Sequence, residues 1–287
     1  MTLSQINNLK LVEIEIYNYC NRRCDFCPNS SVPSRQNKKS PTIMNFEVFK
    51  KTVDDLLNLR YNGVISFSRY NEPLAFDALT KQYVEYIKSK SKIKVVANTN
   101  GDFLNLNNIE IFDELTVMDY SGKGAKWWQK RLEKLNCNLV SENSNQEFLF
   151  FKSPKNKDIL VFLNFKENAT VEDRGGVVKT SVVKFKNNRM KRIAPCSEPQ
   201  KFLGIDYNGQ VMICCNMNSE FHLDYSIGNI KNESIEDIIN SHKRKKYIEI
   251  MSSNDNTKFL SPCEFCQKDP GRYTRDNPGI LYNGERK

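Results

Sequence analysis

Three cysteines close together near the N-terminus constrain this chain more than any other feature. Cys20, Cys24 and Cys27 stand in a CX3CX2C array, with Phe26 just before the last of them. Three thiolates at this spacing can hold three corners of a [4Fe–4S] cube and leave the fourth iron open to a small molecule. Zinc is the alternative, but it usually takes four ligands, commonly in paired CX2C units. The array would then need a distant fourth ligand.

The segments around this array alternate between strand and helix patterns. Strands are predicted at 11–17, 63–67, 93–97 and 114–118. Helices are predicted at 46–59, with Asn45 as its N-cap, at 77–88 and at 126–135. Strands that alternate with helices favour a parallel sheet, and this order fits an α/β fold with a partial (β/α)6 TIM-like barrel. In such barrels the loops after the strands build the active site, and the cysteine array follows the first strand directly.

The regular alternation weakens in the second half of the chain. Segments 148–152 and 159–165 flank a polar turn and predict a hairpin. From about Asn187 the periodicity fades and cysteines return. We therefore predict a barrel domain over 1–186 and a small cysteine-rich domain over 187–287. In the second domain, Asn208-Gly209 predicts the turn of another hairpin, and a helix is expected over 234–250.

Composition narrows the functional class. Nine cysteines in 287 residues are too few for a disulfide scaffold, and their clustering favours a reducing compartment. No signal-peptide pattern or membrane-length apolar run is present in the sequence, so a cytoplasmic protein without a membrane partner is expected. Lone Cys137 is expected in the core.

The net charge of +9 suits an anionic partner, or lysines that simply solvate the surface. An acidic flavodoxin-type electron donor, an acidic peptide and a nucleic acid are the candidate partners. The basic run 242–246 lies on a predicted helix, where we expect a solvated face. Few aromatic residues are interleaved with the basic runs, so nucleic acid is the weakest of the three candidates.

The N-terminal array resembles the signature of the radical S-adenosylmethionine (SAM) superfamily. The resemblance implies that the open iron binds the amino and carboxylate groups of SAM. One electron then cleaves SAM to methionine and a 5′-deoxyadenosyl radical, which abstracts a hydrogen atom from a C–H bond of the substrate. A flavodoxin- or ferredoxin-type protein would supply the electron.

The same resemblance suggests residues that contact SAM at the ends of the predicted strands. The segment 68–73 ends in Glu-Pro like the family's Gly-Gly-Glu-Pro, but it has Tyr70-Asn71 in place of the two glycines. A carboxylate suits the ammonium group of SAM because the hydrogen bond is charge-assisted. Phe26 is expected to shield the cluster or line the adenine pocket. The cofactor-binding residues implied are Phe26, Asn71, Glu72, Asn98, Asn100, Asp119, Ser121 and Arg174.

The C-terminal cysteines resemble the auxiliary-cluster domain called SPASM, or its shortened form called twitch. The resemblance implies that Cys196, Cys214, Cys263 and Cys266 hold one auxiliary [4Fe–4S] cluster. The same four thiolates also suit a structural zinc site. Cys215 is left over as an alternative ligand, a packed thiol or a hydrogen-atom donor like that of peptide epimerases.

Two functions follow as hypotheses. The first is a radical SAM enzyme that dehydrogenates, cross-links or epimerises a peptide or a small sugar-like or aminocyclitol metabolite. Its auxiliary cluster would accept an electron or help bind the substrate. The second is a non-catalytic iron–sulfur or zinc protein that binds nucleic acid through its basic surface.

Overall fold

The computed structural model describes residues 2–32, 35, 40–143, 147–165, 170–171, 173–178, 184–185 and 191–266. Seven α-helices are described: α1 Thr2–Asn8, α2 Phe46–Asn58, α3 Asp77–Lys90, α4 Ala125–Glu133, α5 Glu198–Lys201, α6 Ile235–Asn240 and α7 His242–Ser252. The first seven strands are β1 Leu11–Ile14, β2 Val64–Ser66, β3 Lys94–Thr99, β4 Glu114–Met118, β5 Asn138–Glu142, β6 Phe148–Lys152 and β7 Asp158–Phe162. The others are β8 Thr170–Val171, β9 Lys184–Phe185, β10 Phe202–Ile205, β11 Gln210–Met212 and β12 Gly228–Asn229.

Ten of these strands form one open sheet, in the order β12-β11-β10-β1-β2-β3-β4-β7-β6-β5. The six strands from β10 through β1, β2, β3 and β4 to β7 pair in parallel. This architecture confirms the partial barrel. It departs from a regular βα repeat, because 100–113 form turns rather than a helix, and because β5, β6 and β7 are consecutive strands.

The sixth parallel strand comes from the cysteine-rich C-terminal region. Leu11 of β1 is paired with Phe202 of β10 on one side and with Val64 of β2 on the other. The predicted hairpin around Asn208-Gly209 is confirmed as β10 and β11, and its first strand extends the barrel sheet. The predicted domain boundary near Asn187 lies outside the described residues and stays a prediction.

The two faces of the parallel strands differ in chemistry because successive side chains point to opposite sides. The face toward the helices is apolar and buried, with Val12, Ile14, Ile65, Phe67, Val95, Ala97, Leu115 and Val117 in one core with residues of α2 and α3. The opposite face is the barrel interior. Its floor is an apolar cluster of Leu11, Val64, Val96 and Phe202. Above the floor, the alternate positions are polar: Glu13, Glu15, Ser66, Ser68, Asn98 and Thr116.

Helix ends follow local sequence signals. Asn45 was predicted to cap α2, and its side chain accepts hydrogen bonds from the backbone N–H groups of Glu47 and Val48. The prediction of one helix over 234–250 is wrong. The chain breaks at Ser241, whose side chain accepts a hydrogen bond from the Arg244 N–H and begins α7. Ser is a favoured N-cap residue, and periodicity alone did not reveal this restart.

The basic run 242–246 is only partly a solvated face. His242, Lys243, Lys245 and Lys246 are exposed, but Arg244 is 1% exposed. Its guanidinium donates to the side chain of Gln5 and to the carbonyls of Ile239 and Gln200. Arg244 therefore joins α1, α5 and α6, and burial lowers its pKa to about 10.

Among the described residues, no helix is long and apolar enough to cross a membrane.

Candidate functional site

The N-terminal cysteine loop, residues 19–28, follows β1 at the carboxyl edge of the parallel strands. The Cys27 N–H donates to the Cys24 carbonyl at 2.9 Å, and the Arg22 N–H donates to the Cys20 sulfur at 3.4 Å. Burial raises the pKa of Cys20 to about 12 and also raises that of Cys27. The metal-free loop therefore holds protonated thiols, and binding of a metal cluster has to displace these protons.

A polar latch joins this loop to the ends of β3 and β4. Arg22 makes a two-pronged contact with Asp102, at 2.7 Å from Nε and 2.5 Å from Nη2, and it donates to Ser121 at 2.8 Å. Asn21 donates to the same carboxylate and accepts a hydrogen bond from the Asn100 amide. The guanidinium lowers the pKa of Asp102, which therefore stays ionised. The latch fixes the CX3C segment with paired charges.

Phe26, which belongs to the cysteine loop, is part of an aromatic cluster. Its ring centroid is 5.3 Å from that of Tyr120 and 4.9 Å from that of Phe165. Cys24 packs against the same cluster, and Met118 lies within it. This arrangement places an apolar wall beside the cysteine array. Its part in shielding a cluster or lining an adenine pocket stays a prediction.

Glu72 is a buried carboxylate at the end of β2. It accepts hydrogen bonds from the Thr99 hydroxyl at 2.5 Å, the Asn100 N–H at 2.8 Å and the Leu74 N–H at 3.1 Å. An ionised carboxylate has about four acceptor positions, so there is room for one further donor. Burial nevertheless raises the pKa of Glu72 to about 7, although these three hydrogen bonds oppose the shift.

This shift predicts how Glu72 affects stability in the cluster-free protein. The folded state binds the proton more tightly than the unfolded chain, whose ordinary pKa is 4.5. The contribution of Glu72 to the free energy of unfolding is therefore complete below pH 4.5 and is lost as the pH rises through about 7. The loss amounts to roughly 3 kcal/mol between these limits.

Anaerobic urea unfolding at pH 5 and pH 8 measures this loss. The Glu72→Gln variant has no titrating group at this position, so its stability falls less between the two pH values. An equal fall in the wild type and the variant would show that the proton is not bound at Glu72.

Two of the other predicted SAM contacts carry buried polar atoms without a partner in the described part of the chain. Among those residues, nothing forms a hydrogen bond with the Asn71 amide nitrogen or the Asn98 carbonyl oxygen. The hydroxyl of Thr116 on β4 is also buried and has no hydrogen-bond partner among the described residues. Thr116 and Asn98 occupy interior positions of neighbouring strands, and Asn71 follows the strand between Asn98 and β1. Buried polar groups are rarely left without a partner, so these atoms suit a polar ligand in the barrel interior.

Three predicted SAM contacts instead take part in holding loops. Asp119 accepts from the N–H groups of Lys123 and Gly124, both at 2.9 Å, and so organises the turn before α4. Ser121 is exposed and accepts a hydrogen bond from Arg22. The Asn100 side chain binds Asn21 in the latch. Contacts of these three residues with SAM stay predictions.

The auxiliary cysteines, Cys196, Cys214, Cys263 and Cys266, come from separate segments of the C-terminal region. Cys196, Cys214 and Cys266 are each 8% exposed. The backbone of Cys196 is bonded to α7 through the Met251 carbonyl. Asn216 links two of the sulfurs: its backbone N–H lies 3.4 Å from the Cys214 sulfur, and its amide nitrogen lies 3.7 Å from that of Cys266.

The Cys215 side chain packs against the apolar floor of the barrel interior, and its thiol lies 3.9 Å from the Asn216 side-chain oxygen, to which it donates. Its carbonyl accepts a hydrogen bond from the Tyr70 hydroxyl at 2.8 Å. Asn216 thus donates to the Cys214 sulfur but accepts from the Cys215 thiol, which favours Cys214 as the member of the auxiliary set, and this assignment stays a prediction. Cys137 is 3% exposed and lies in the core, as predicted.

Arg174 projects from a tight turn toward the auxiliary cysteines. Arg174, Gly175 and Gly176 all have positive φ angles, of 55°, 68° and 85°. A Cβ on Gly175 would lie 2.8 Å from Nε2 of His222 and 3.1 Å from Cβ of Pro262, so the turn needs glycine there. The guanidinium donates to the Asn216 side chain at 2.9 Å, while its buried Nε has no partner.

A second buried arginine crosses the barrel interior. Arg69 is 1% exposed at its side chain and lies 3.7 Å from the Glu13 carboxylate. Its guanidinium also donates to the Met217 carbonyl and stacks 5.2 Å from the Tyr70 ring centroid. A Cβ on Gly204 of β10 would overlap this guanidinium, so glycine there leaves room for Arg69.

Sequence reasoning missed three functional candidates: the Arg22–Asp102 latch, Arg69 and Asn216. Arg22 lies between two array cysteines, and Asn216 directly follows a cysteine pair. Both positions could have been singled out by their place beside metal-ligating residues. Asp102 and Arg69 gave no comparable signal.

The donor set fits iron–sulfur clusters. All nine cysteines are thiols, and N–H groups point at the sulfurs of Cys20, Cys214 and Cys266. Such hydrogen bonds are a common feature of cluster ligands. In the described part of the chain, no three His, Cys, Asp or Glu side chains are arranged to hold a single metal ion.

Comparison with known families gives two matches. The sequence profile of the radical SAM superfamily matches residues 14–122, which include the N-terminal array. The profile of SPASM, an iron–sulfur cluster-binding domain, matches residues 196–267, which include the auxiliary cysteines.

A curated relative and two solved structures resemble the chain. The S-adenosyl-L-methionine-dependent 2-deoxy-scyllo-inosamine dehydrogenase of Niallia circulans is 24% identical over 241 residues, which cover 81% of this chain and 83% of that protein. BtrN in complex with AdoMet and 2-DOIA is 21% identical, with a TM-score of 0.66 and coverage of 91% and 93%. Streptococcus suis SuiB bound to the precursor peptide SuiA is 12% identical, with a TM-score of 0.52 and coverage of 91% and 78%. The structural likenesses show a shared fold.

Proposed function

Because the chain belongs to the radical SAM superfamily and carries a C-terminal SPASM domain, we propose that it is a dehydrogenase of a small, hydroxyl-rich ring compound of the aminocyclitol class. The curated relative from Niallia circulans is named for such a reaction, and it matches this chain over most of both lengths. The relatedness at 24% identity supports the reaction class more strongly than the exact substrate.

The observation that carries the substrate class is the set of unsatisfied polar atoms in and beside the barrel interior. Asn71 offers a donor, Asn98 an acceptor and Thr116 a hydroxyl, and all three atoms are buried without a partner among the described residues. A ring compound with several hydroxyl groups presents donors and acceptors in every direction, so it can satisfy such a set. The apolar floor of Leu11, Val64, Val96 and Phe202 lies on the same face of the strands, and a mostly apolar site with a few polar groups is typical of small-molecule binding.

The bound cofactors supply the redox chemistry. For oxidation of an alcohol carbon to a ketone, SAM would supply the group that takes one hydrogen atom from carbon, and the auxiliary cluster would accept the remaining electron as the hydroxyl loses its proton. The chain's own residues bind and orient the reactants. Cys20, Cys24 and Cys27 hold the SAM-binding cluster in this proposal, and Cys196, Cys214, Cys263 and Cys266 hold the auxiliary one.

Two charged residues are placed to orient SAM. We assign Glu72 to the SAM ammonium group, because its carboxylate has room for one more donor and lies beside the cysteine loop. The Glu72 N–H donates to the Tyr19 carbonyl, next to Cys20. Arg174 is assigned to the SAM carboxylate, since its buried Nε has no partner among the residues that the structure describes.

The electron has to come from a low-potential protein donor. We infer a flavodoxin- or ferredoxin-type partner in the cytoplasm, and the net charge of +9 supports association with an acidic protein.

The test is anaerobic turnover with dithionite, SAM and a panel of aminocyclitols and polyols. The expected result is release of 5′-deoxyadenosine together with a product lighter by two hydrogens. Intact SAM after reconstitution with iron and sulfide would overturn the proposal, and it would leave the nucleic-acid-binding alternative.

Solvent deuterium separates the competing reactions within the enzyme class. A product that gains one deuterium at carbon without net oxidation would point to epimerisation. The position of Cys215 in the barrel interior makes it the thiol to examine as hydrogen donor. In the dehydrogenase that we propose, a Cys215→Ala variant completes turnover, and the product carries no carbon-bound deuterium.

A further inference from the structure

Asn216, the residue that follows the Cys214-Cys215 pair, contacts both the auxiliary cysteines and the guanidinium of Arg174. Asn216 is 4% exposed. Its carbonyl oxygen accepts from Nη1 of Arg174 at 2.9 Å, and its amide nitrogen lies 3.7 Å from the Cys266 sulfur. Its backbone N–H is directed at the Cys214 sulfur at 3.4 Å.

The chemistry of these partners determines which way the amide faces. A guanidinium only donates hydrogen bonds, so the Asn216 oxygen has to face Arg174. The NH2 group is then directed at Cys266, where a thiolate sulfur accepts. A reversed amide would place NH2 against the guanidinium and oxygen against the sulfur, and both contacts would be repulsive. Arg174 and Cys266 therefore hold Asn216 in one orientation.

The turn that carries Arg174 is itself held by the auxiliary region. The carbonyl of Gly175, the residue after Arg174, lies 3.3 Å from Nε2 of His222. The strained turn at Arg174 is packed between His222 and Pro262, the latter adjacent to Cys263. The auxiliary region thus determines where this cation lies.

We propose that Asn216 is a positioning residue that couples the auxiliary cluster to Arg174. This inference rests on the proposed function, since it needs a cluster on the auxiliary cysteines. The side-chain amide stabilises the thiolate at Cys266 and holds the guanidinium at the same time. Hydrogen bonds to ligand sulfurs raise the reduction potential of a cluster, so the potential reports the contact directly.

The test measures the midpoint potential of the auxiliary cluster by EPR-monitored titration. In Asn216→Ala the hydrogen bond to Cys266 is lost, while the backbone bond to Cys214 remains. We expect the one-electron reduction equilibrium to shift about tenfold toward the oxidised cluster, which corresponds to a fall of about 59 mV. Asn216→Asp adds a negative charge as well, so its potential falls further.

Asn218→Ala is the matched control. Asn218 is 1% exposed and two residues away, and its side-chain oxygen accepts a hydrogen bond from the Glu220 N–H rather than from a cysteine. The Asn218→Ala substitution removes a similar buried amide, and the midpoint potential of the auxiliary cluster is expected to stay at the wild-type value. An equal fall in Asn218→Ala would mean that general loosening of the domain, and not the sulfur contact, sets the potential.

A double-mutant cycle tests the link to Arg174. Arg174→Met removes a positive charge near the auxiliary cluster and lowers its potential. If Asn216 holds that charge in place, Arg174→Met changes the potential less in the Asn216→Ala background than in the wild type. Fully additive shifts would overturn the coupling.

The outcomes separate this inference from the proposed function. A wild-type protein that lacks a second cluster or leaves SAM intact contradicts the proposed function. A wild-type protein with two clusters, together with an Asn216→Ala variant of unchanged potential, contradicts only the role of Asn216. A variant that merely loses auxiliary iron, with an unchanged potential in the loaded fraction, shows a structural role and also overturns the inference.

Discussion

Replacing Cys24 with serine is expected to abolish reductive cleavage of SAM. Cys24 is the central thiol of the N-terminal array, and a cluster that loses one of three ligands no longer holds an iron open for SAM. We expect 5′-deoxyadenosine release to fall at least about a thousandfold, which corresponds to ~4 kcal/mol of activation free energy. Iron content falls from about eight to about four atoms per chain, because the auxiliary cluster remains.

Cys137→Ala is the control for this experiment. Cys137 is also a thiol, but it is packed in the barrel core next to α4 and far from both cysteine groups in sequence. The variant is expected to keep about eight irons and near-wild-type cleavage. Retention of SAM cleavage in Cys24→Ser, or its loss in Cys137→Ala, would contradict the assignment of the array.

The second large effect is expected from Cys266→Ala, which should separate SAM cleavage from product formation. The variant loses the auxiliary cluster and keeps the N-terminal one, so about four irons remain. Release of 5′-deoxyadenosine continues within a few fold of the wild-type rate. The oxidised product falls at least about a hundredfold, or ~3 kcal/mol, because the electron left on the substrate has no acceptor.

Folding of the variant has to be checked, since Cys266 is buried and bonded to Asn216. Its carbonyl also accepts a hydrogen bond from Arg192. Circular dichroism and SAM binding at the wild-type level would show that the barrel is intact. Product formation at the wild-type rate with only four irons would rule out the auxiliary cluster as the electron acceptor.

Local patterns predicted the local structure well. Strand β4 and strand β6 were predicted with their observed bounds, and α2 with its cap at Asn45. The turn at Asn208-Gly209 was predicted because Asn-Gly favours a tight hairpin; Gly209 has a φ of 84°. The spacing of the cysteines predicted a SAM-binding cluster and an auxiliary cluster, in agreement with the two family matches, while the individual ligands stay predictions.

Long-range relations were not predictable in the same way. The pairing of β10 with β1 joins residues far apart in sequence, and periodicity carries no information on which strands pair. Arg244 is buried because three backbone and side-chain acceptors meet around it, which the basic run does not reveal. Asp119 and Ser121 were assigned to SAM from their place after β4, while their actual hydrogen bonds depend on how the neighbouring loops fold.

The pairing of β1 with β10 also has a consequence for synthesis on the ribosome. One edge of the first strand stays open until Phe202 has been made, about 190 residues after Leu11. At bacterial or eukaryotic elongation rates of about 5–20 residues per second, the wait lasts on the order of 10–40 s. During that interval an unpaired apolar edge is open to aggregation, and a nascent chain of this kind is a natural client for chaperones.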